Sequence, residues 1–193
     1  MSRNYPIGTQ NFVDLIESGA IYVDKTAFMA RLIQHSFHKS YFLSRPRRFG
    51  KSLFVDALEQ VWNGNQALFK GLDIYDKITW DKHPVIRFSL DKIGFKHLGL
   101  ENALLEMVQD AAVKHQITLK KTYSGGCFEE LIEKVHEKYQ KKVVVLIDEY
   151  DKPIIHGIEK DNSTLAETNR DILKAFYGIL KDSEKHLRFT FIT

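Results

Sequence analysis

The sequence contains a single cysteine, Cys127, among its 193 residues. An intramolecular disulfide is therefore excluded, and the composition fits a reducing compartment. Cys127 itself reads as a small buried hydrophobe following a Gly-Gly turn. The 8 histidines are scattered, and no Cys/His cluster has the spacing of zinc ligands. Long hydrophobic runs are missing as well. The longest, residues 143–147 (Val-Val-Val-Leu-Ile), is far too short to cross a bilayer. The first residues, Met-Ser-Arg-Asn-Tyr-Pro, lack the apolar stretch of a secretory leader. These absences lead us to expect a cytoplasmic protein that does not engage a membrane. There is no internal repeat and no low-complexity tract. Charge of one sign is scarce too: 28 basic and 25 acidic residues are interleaved to a net +3, too mild to argue for nucleic acid by itself.

What is present is the balance of a soluble globular chain, 44% hydrophobic and 27% charged, with a length that favours one α/β domain. Residues 40–44 form a short apolar and aromatic run, and beyond Ser52 the spacing of Phe54, Ala57, Leu58 and Val61 predicts a helix. Residues 85–90 alternate as a strand does. Leu100, Ala103, Leu104, Met107, Val108 and Ala111 share one helical face, as do Phe128, Leu131, Ile132, Val135 and Tyr139 after a Ser124-Gly125-Gly126 turn. The run 143–147 has the continuous apolar, mostly β-branched pattern of a strand buried on both faces. A helix opens at 162–164, with Thr164 and Glu167 spaced as a capping box and Ile172, Leu173, Phe176, Tyr177 and Leu180 as its stripe. Residues 187–193 read as a last strand. This alternation predicts a parallel sheet with helices on both faces and 143–147 central. A buried strand that stops at the final residue has no following helix to cover it, so we expect the N-terminal piece of a longer protein.

The sharpest chemical signal is Arg45-Pro46-Arg47-Arg48-Phe49-Gly50-Lys51-Ser52, within the segment 41–52. It stands between a predicted strand and a predicted helix, as the phosphate loop G-x-x-x-x-G-K-[ST] (Walker A) does. Gly50 lets the backbone approach phosphates, and successive N–H groups at a helix start present positive charge to an anion. Lys51 reaches the β- and γ-phosphates, and the Ser52 hydroxyl binds Mg²⁺. The predicted nucleotide-binding positions are Arg47, Arg48, Phe49, Gly50, Lys51, Ser52 and Leu53. Arg45 departs from the motif, replacing its first glycine, and with Pro46 makes the loop stiffer and more cationic. The second signal is Asp148-Glu149 at the end of the buried strand (Walker B), where α/β sheets bind ligands. Asp148 is the expected second metal residue beside Ser52. Glu149 is the expected base for an attacking water, with Lys51 as its catalytic partner on the phosphates. Asp151 is a further carboxylate of a kind that more often pairs with a nearby Lys or caps a turn. Thr193, on a strand beside the phosphate-loop strand, is a candidate γ-phosphate sensor. Arg47 and Arg48 either touch the γ-phosphate, act on a neighbouring subunit of a homo-oligomer, or pair with surface acids. Nucleic acid is the weaker reading of this cluster, because phosphates already account for its cations. Tyr5, Phe12 and Tyr22 read as core rather than as a base-stacking set.

Tyr5-Pro6-Ile7-Gly8, Tyr22-Val23-Asp24-Lys25-Thr26, the loop 45–52 and Ile147-Asp148-Glu149-Tyr150-Asp151-Lys152-Pro153 together resemble the bacterial AAA-ATPase-like domain family. Phe191-Ile192-Thr193 is similar to the start of its next motif, and the resemblance spans nearly the whole chain. It implies an additional-strand P-loop NTPase fold, with one strand between the Lys51 and Asp148 strands. It also implies ATP and Mg²⁺, and makes the arginine-rich loop a property of the family. On this reading 1–35 is a family-specific N-terminal segment and 36–193 an incomplete nucleotide-binding core that lacks a fifth strand and lid. A domain resembling the PD-(D/E)xK nucleases usually follows. Asp24 and Lys25 match the family pattern without an evident mechanism. The function expected is Mg²⁺-dependent ATP hydrolysis. The alternative is a nucleotide-gated switch with little turnover that controls an attached nuclease-like domain or a partner. A small-molecule kinase is disfavoured, because a strand-end Asp-Glu suits water better than an acceptor hydroxyl.

Overall fold

A computed structural model describes residues 8–35, 39–46, 49–91, 93–160 and 162–193. Four strands, β1 (Ser40–Phe42), β2 (Val85–Ser89), β3 (Val143–Asp148) and β4 (Leu187–Ile192), form one sheet in the order β1-β4-β3-β2. Every neighbouring pair is parallel. Parallel strands cannot be joined by hairpins, so each connection carries helices across a face of the sheet. The helices are α1 (Phe12–Glu17), α2 (Thr26–Gln34), α3 (Lys51–Trp62), α4 (Phe95–Leu98), α5 (Leu100–Lys114), α6 (Ser124–Tyr139), α7 (Lys152–Glu159) and α8 (Ser163–Asp182).

The period-2 direction of strand side chains divides the core in two. Val144 and Leu146 of β3, with Phe189 and Phe191 of β4, pack against α1, α2 and α3. Val143, Val145 and Ile147 face the opposite way, toward α5, α6 and α8. All six residues of β3 are buried, as the run of branched residues predicts. The order also bears out the implied arrangement, with β4 lying between the Lys51-bearing β1–α3 unit and β3.

Two local expectations are corrected. Ser124-Gly125-Gly126 is not a turn before α6 but its first turn. Gly126 is there for space, since a Cβ would come within 2.5 Å of the Tyr123 ring. Cys127 is thus helical as well as buried, and its Sγ donates to the Lys121 carbonyl at 2.9 Å. α8 is capped by Asn162, whose side chain accepts from the Leu165 N–H at 2.9 Å, so Thr164 lies inside the helix and forms no capping box.

The N-terminal segment is pinned to the rest of the domain by two carboxylates. Asp24 accepts from the Thr26 N–H at 2.8 Å, the Thr26 hydroxyl at 2.7 Å and the Asp73 N–H at 2.8 Å. The buried Thr26 hydroxyl in turn accepts from the Ile74 N–H at 3.1 Å. Burial alone would raise the Asp24 pKa, but these hydrogen bonds and the charge of Lys77 bring it below its usual value. The Asp24-Lys25-Thr26 pattern therefore has a structural explanation. Asp56 of α3 accepts from the Phe12 N–H at 2.7 Å and pairs with Arg87 of β2, tying α1 to the sheet. Phe12 is fully buried between Tyr22 and Phe69, with ring centroids 5.3 Å and 4.8 Å away. Phe12 is core, as expected, and Tyr22 is partly buried against that core; Tyr5 lies outside the described residues.

Candidate functional site

Because all four strands run the same way, their C-terminal ends share one edge of the sheet, the edge where α/β folds leave a crevice. Ser89 pairs in register with Asp148, and Ile147 with Ile192, which also pairs with Phe42. The exit of β1, the Asp148-Glu149 step and Thr193 are thereby brought together. Thr193 is 1% exposed. Its N–H donates to the Ile147 carbonyl at 2.9 Å, its hydroxyl donates to the Leu43 carbonyl at 2.9 Å, and its own carbonyl accepts from the Tyr150 N–H at 3.2 Å. A hydroxyl has one proton to give. Here that proton joins β4 to the exit of β1, so Thr193 serves in this arrangement as a strand tie and not as a donor to a phosphate.

Gly50 is the N-cap of α3 and adopts a left-handed conformation at φ 75°. Glycine reaches that region without the penalty a side chain brings. No side chain caps the helix, and no acid lies in its first turn. The N–H groups of Lys51, Ser52 and Leu53 fall in the stretch that has no intrahelical acceptor, at the positive end of the macrodipole. The Lys51 ammonium donates to the Arg45 carbonyl at 3.0 Å, which folds the loop over the helix start and leaves two of its three donors for other partners. Phe49 is 60% exposed. Arg47 and Arg48 lie outside the described residues.

Asp148 is 3% exposed, with Oδ1 accepting from the Glu149 N–H at 3.1 Å. Among the described residues it has no cationic partner, although buried carboxylates ordinarily acquire one. Glu149 stands at φ 55°, left-handed and unusual for a residue with a side chain. Asp151 is the N-cap residue of α7, and its carbonyl accepts from Ile154 and Ile155 at 3.0 Å, while its carboxylate makes no capping bond.

Of these residues, Gly50, Lys51, Ser52, Leu53 and Glu149 line a cleft of about 710 Å³, and the buried Asp148 precedes Glu149 in the chain, outside that lining. One wall is Gly50, Lys51, Ser52 and Leu53; another is Glu149 with Asp91 and Lys152; a third is Gly8, Thr9 and Gln10. Asp91 and Lys152 form an ion pair of 3.1 Å. The sequence gives no role to Asp91, Lys152 or residues 8–10, because they are distant in the chain and meet only through the fold. Ser52 and Asp148 offer the hard oxygen donors that Mg²⁺ takes. Among the described residues, no cluster of three or more His, Cys, Asp or Glu could hold a metal unaided. A divalent ion here would need further oxygens from a bound ligand, the habit of Mg²⁺ with phosphates.

A family model described as "Predicted AAA-ATPase", for AAA-ATPase-like domains, matches residues 6–193. A protein of Azotobacter chroococcum mcd 1, "Uncharacterized protein in vnfD 5'region", is 40% identical over 197 residues, covering 100% of this chain and 37% of that protein. The chain thus spans about 37% of the length of the curated relative it matches. No solved structure matches it at a significant level. Among the described residues, no helix is long and apolar enough to cross a membrane.

Proposed function

Since the chain belongs to the AAA-ATPase-like family, we propose that the cleft at the C-terminal ends of its strands binds Mg²⁺-ATP and hydrolyses it. The observation that carries this reading is one cavity lined by Gly50, Lys51 and Ser52 together with Glu149. The uncapped start of α3 receives phosphate oxygens at its N–H groups, and Lys51 neutralises the β- and γ-phosphates. Ser52 and Asp148 hold the metal, whose contribution when bound is to draw charge from the phosphate oxygens. Glu149 accepts a proton from water. The water oxygen bonds to the γ-phosphorus as the bond to the β–γ bridging oxygen breaks, and ADP leaves with that electron pair.

A second reading is favoured by length. The relative has most of its chain beyond the matched span, so the domain also fits a nucleotide-gated switch acting on an attached domain, such as the nuclease-like domain implied by resemblance. In this scheme residues 1–35 are an N-terminal segment added to a nucleotide-binding core at 36–193. Calorimetry with Mg²⁺-ATP separates the possibilities. The expected result is binding by the wild type that disappears in Lys51→Ala. Glu149→Gln is expected to bind and not turn over. Tight binding with negligible wild-type hydrolysis would select the switch, and absence of wild-type binding would overturn both readings.

A further inference from the structure

Around the cleft, cations stand where helix electrostatics disfavours them. Lys152 is the first residue of α7, where the macrodipole is positive and an acid is the usual occupant. No acid follows in that turn, and the Asp151 side chain makes no cap. Lys152 shares the cleft with Lys51 and with the uncapped start of α3, so two ammonium groups and two helix starts converge on one cavity. Its described partner is Asp91, at 3.1 Å, on a side chain 55% exposed. Such a pair is of the weak, water-screened kind, and a stronger anion can displace it.

Resting on the nucleotide reading above, we propose that Lys152 is a second polyphosphate-contacting residue, held by Asp91 until the terminal phosphate takes its place. Its position along the chain selects the terminal phosphate. The Lys152 N–H donates to the Glu149 carbonyl at 3.2 Å, so the ammonium and the carboxylate assigned to water leave the same turn. A cation beside the site of water attack meets the γ-phosphate, which ATP has and ADP lacks. Asp91 is then a positioning residue that keeps Lys152 over the cleft and competes for it.

The test is calorimetry of Mg²⁺-ATP and Mg²⁺-ADP on the wild type, Lys152→Gln, Lys152→Arg and Asp91→Asn, with Lys51→Ala as control and thermal unfolding of each. Lys152→Gln is expected to weaken ATP by about 10- to 100-fold, the range of one charge-assisted hydrogen bond, and to leave ADP within about threefold of wild type. Lys152→Arg restores most of the loss, and Asp91→Asn binds ATP at least as tightly as wild type. Equal ATP and ADP affinities for Lys152→Gln and wild type, with binding lost in Lys51→Ala, would overturn the proposal while leaving the nucleotide reading intact. A parallel loss for both nucleotides with a lowered unfolding temperature would also overturn it, reducing Lys152 to an anchor for α7. No binding by the wild type would remove the nucleotide reading, and this proposal with it.

Discussion

Glu149 occupies a backbone region that favours glycine, yet its side chain lines the cleft. For a residue with a Cβ the left-handed conformation costs about 1–2 kcal/mol, and such strain persists where the surrounding structure imposes it. The Thr193 carbonyl holding the Tyr150 N–H, and the Glu149 carbonyl holding the Lys152 N–H, fix this turn from both sides. The strain predicts a particular ranking of variants. Glu149→Gly relieves it but adds freedom to the unfolded chain, whereas Glu149→Ala keeps it. We expect the glycine variant to be more stable than the alanine variant by about 0.5–1 kcal/mol, read from urea midpoints. Alanine more stable than glycine by about 0.5–1 kcal/mol, the entropic cost of glycine by itself, would show that the turn carries no strain. The chemical types at this site are visible in the sequence as Gly50-Lys51-Ser52 and Asp148-Glu149. The turn is not, because a left-handed glutamate has no compositional signature. Nor does the sequence show that the Thr193 hydroxyl is already spent on Leu43, a contact across 150 residues.

Elements with long periodic stripes are legible in the sequence, and short or interrupted ones are not. α5, α6 and α8 each bury a continuous stripe, and β3 announces itself by unbroken burial. α1 has six residues, too few for a period to register. In α2, Met29, Ala30 and Ile33 do carry helical spacing, the one signal there to be read. α7 is hidden by two breakers. Pro153 is in the first turn, where its missing N–H is no loss, and Gly157 lets α7 approach α8, where a Cβ would lie 2.7 Å from the Ala166 nitrogen. What fastens these elements is polar, and each fastening can be broken singly. Thr26→Val leaves the Ile74 N–H buried without an acceptor and should destabilise the domain by about 1–3 kcal/mol in chemical denaturation, while Thr26→Ser should restore most of it. Glu130 of α6 accepts from the Lys121 and Lys120 N–H groups at 3.0 Å and 2.8 Å and pairs with Lys134 at 2.7 Å, which holds the α5–α6 connection. The Lys121 N–H and the Lys134 ammonium are the chief reasons its pKa falls from 4.5 to about 2. A depressed folded pKa means that the stabilisation is complete above 4.5 and is lost as pH falls from there toward 2. Glu130→Gln should therefore flatten the stability profile across that interval and lower the plateau above it. A parallel profile in the variant would assign acid lability elsewhere.

At the scale of the whole molecule, the cleft is a junction of segments distant in sequence. Residues 8–10 reach it through the Phe12–Asp56 tie, residues 50–53 through β1 and α3, and Asp91, Glu149 and Lys152 from the ends of β2 and β3. The edge of the sheet supplies position, and the core behind it, with Val144, Leu146, Phe189 and Phe191 on one face and Val145 and Ile147 on the other, supplies rigidity. A ligand that contacts all three walls can bind only when the sheet, the α3 side and the N-terminal segment are assembled together. Binding that excludes the unfolded chain raises stability by mass action, about 2.7 kcal/mol at a ligand concentration 100 times the Kd. For a domain of this size that corresponds to a rise in Tm on the order of 5–10 °C. Mg²⁺-ATP at that excess is expected to produce such a rise in a thermal scan, and Lys51→Ala, with the proposed phosphate contact removed, is expected to show none. An equal rise in the variant would mean that the nucleotide stabilises the protein somewhere other than this cleft. A rise confined to the unfolding of one part of the chain, with the rest melting at its unliganded temperature, would mean that the three walls do not fold as one cooperative unit.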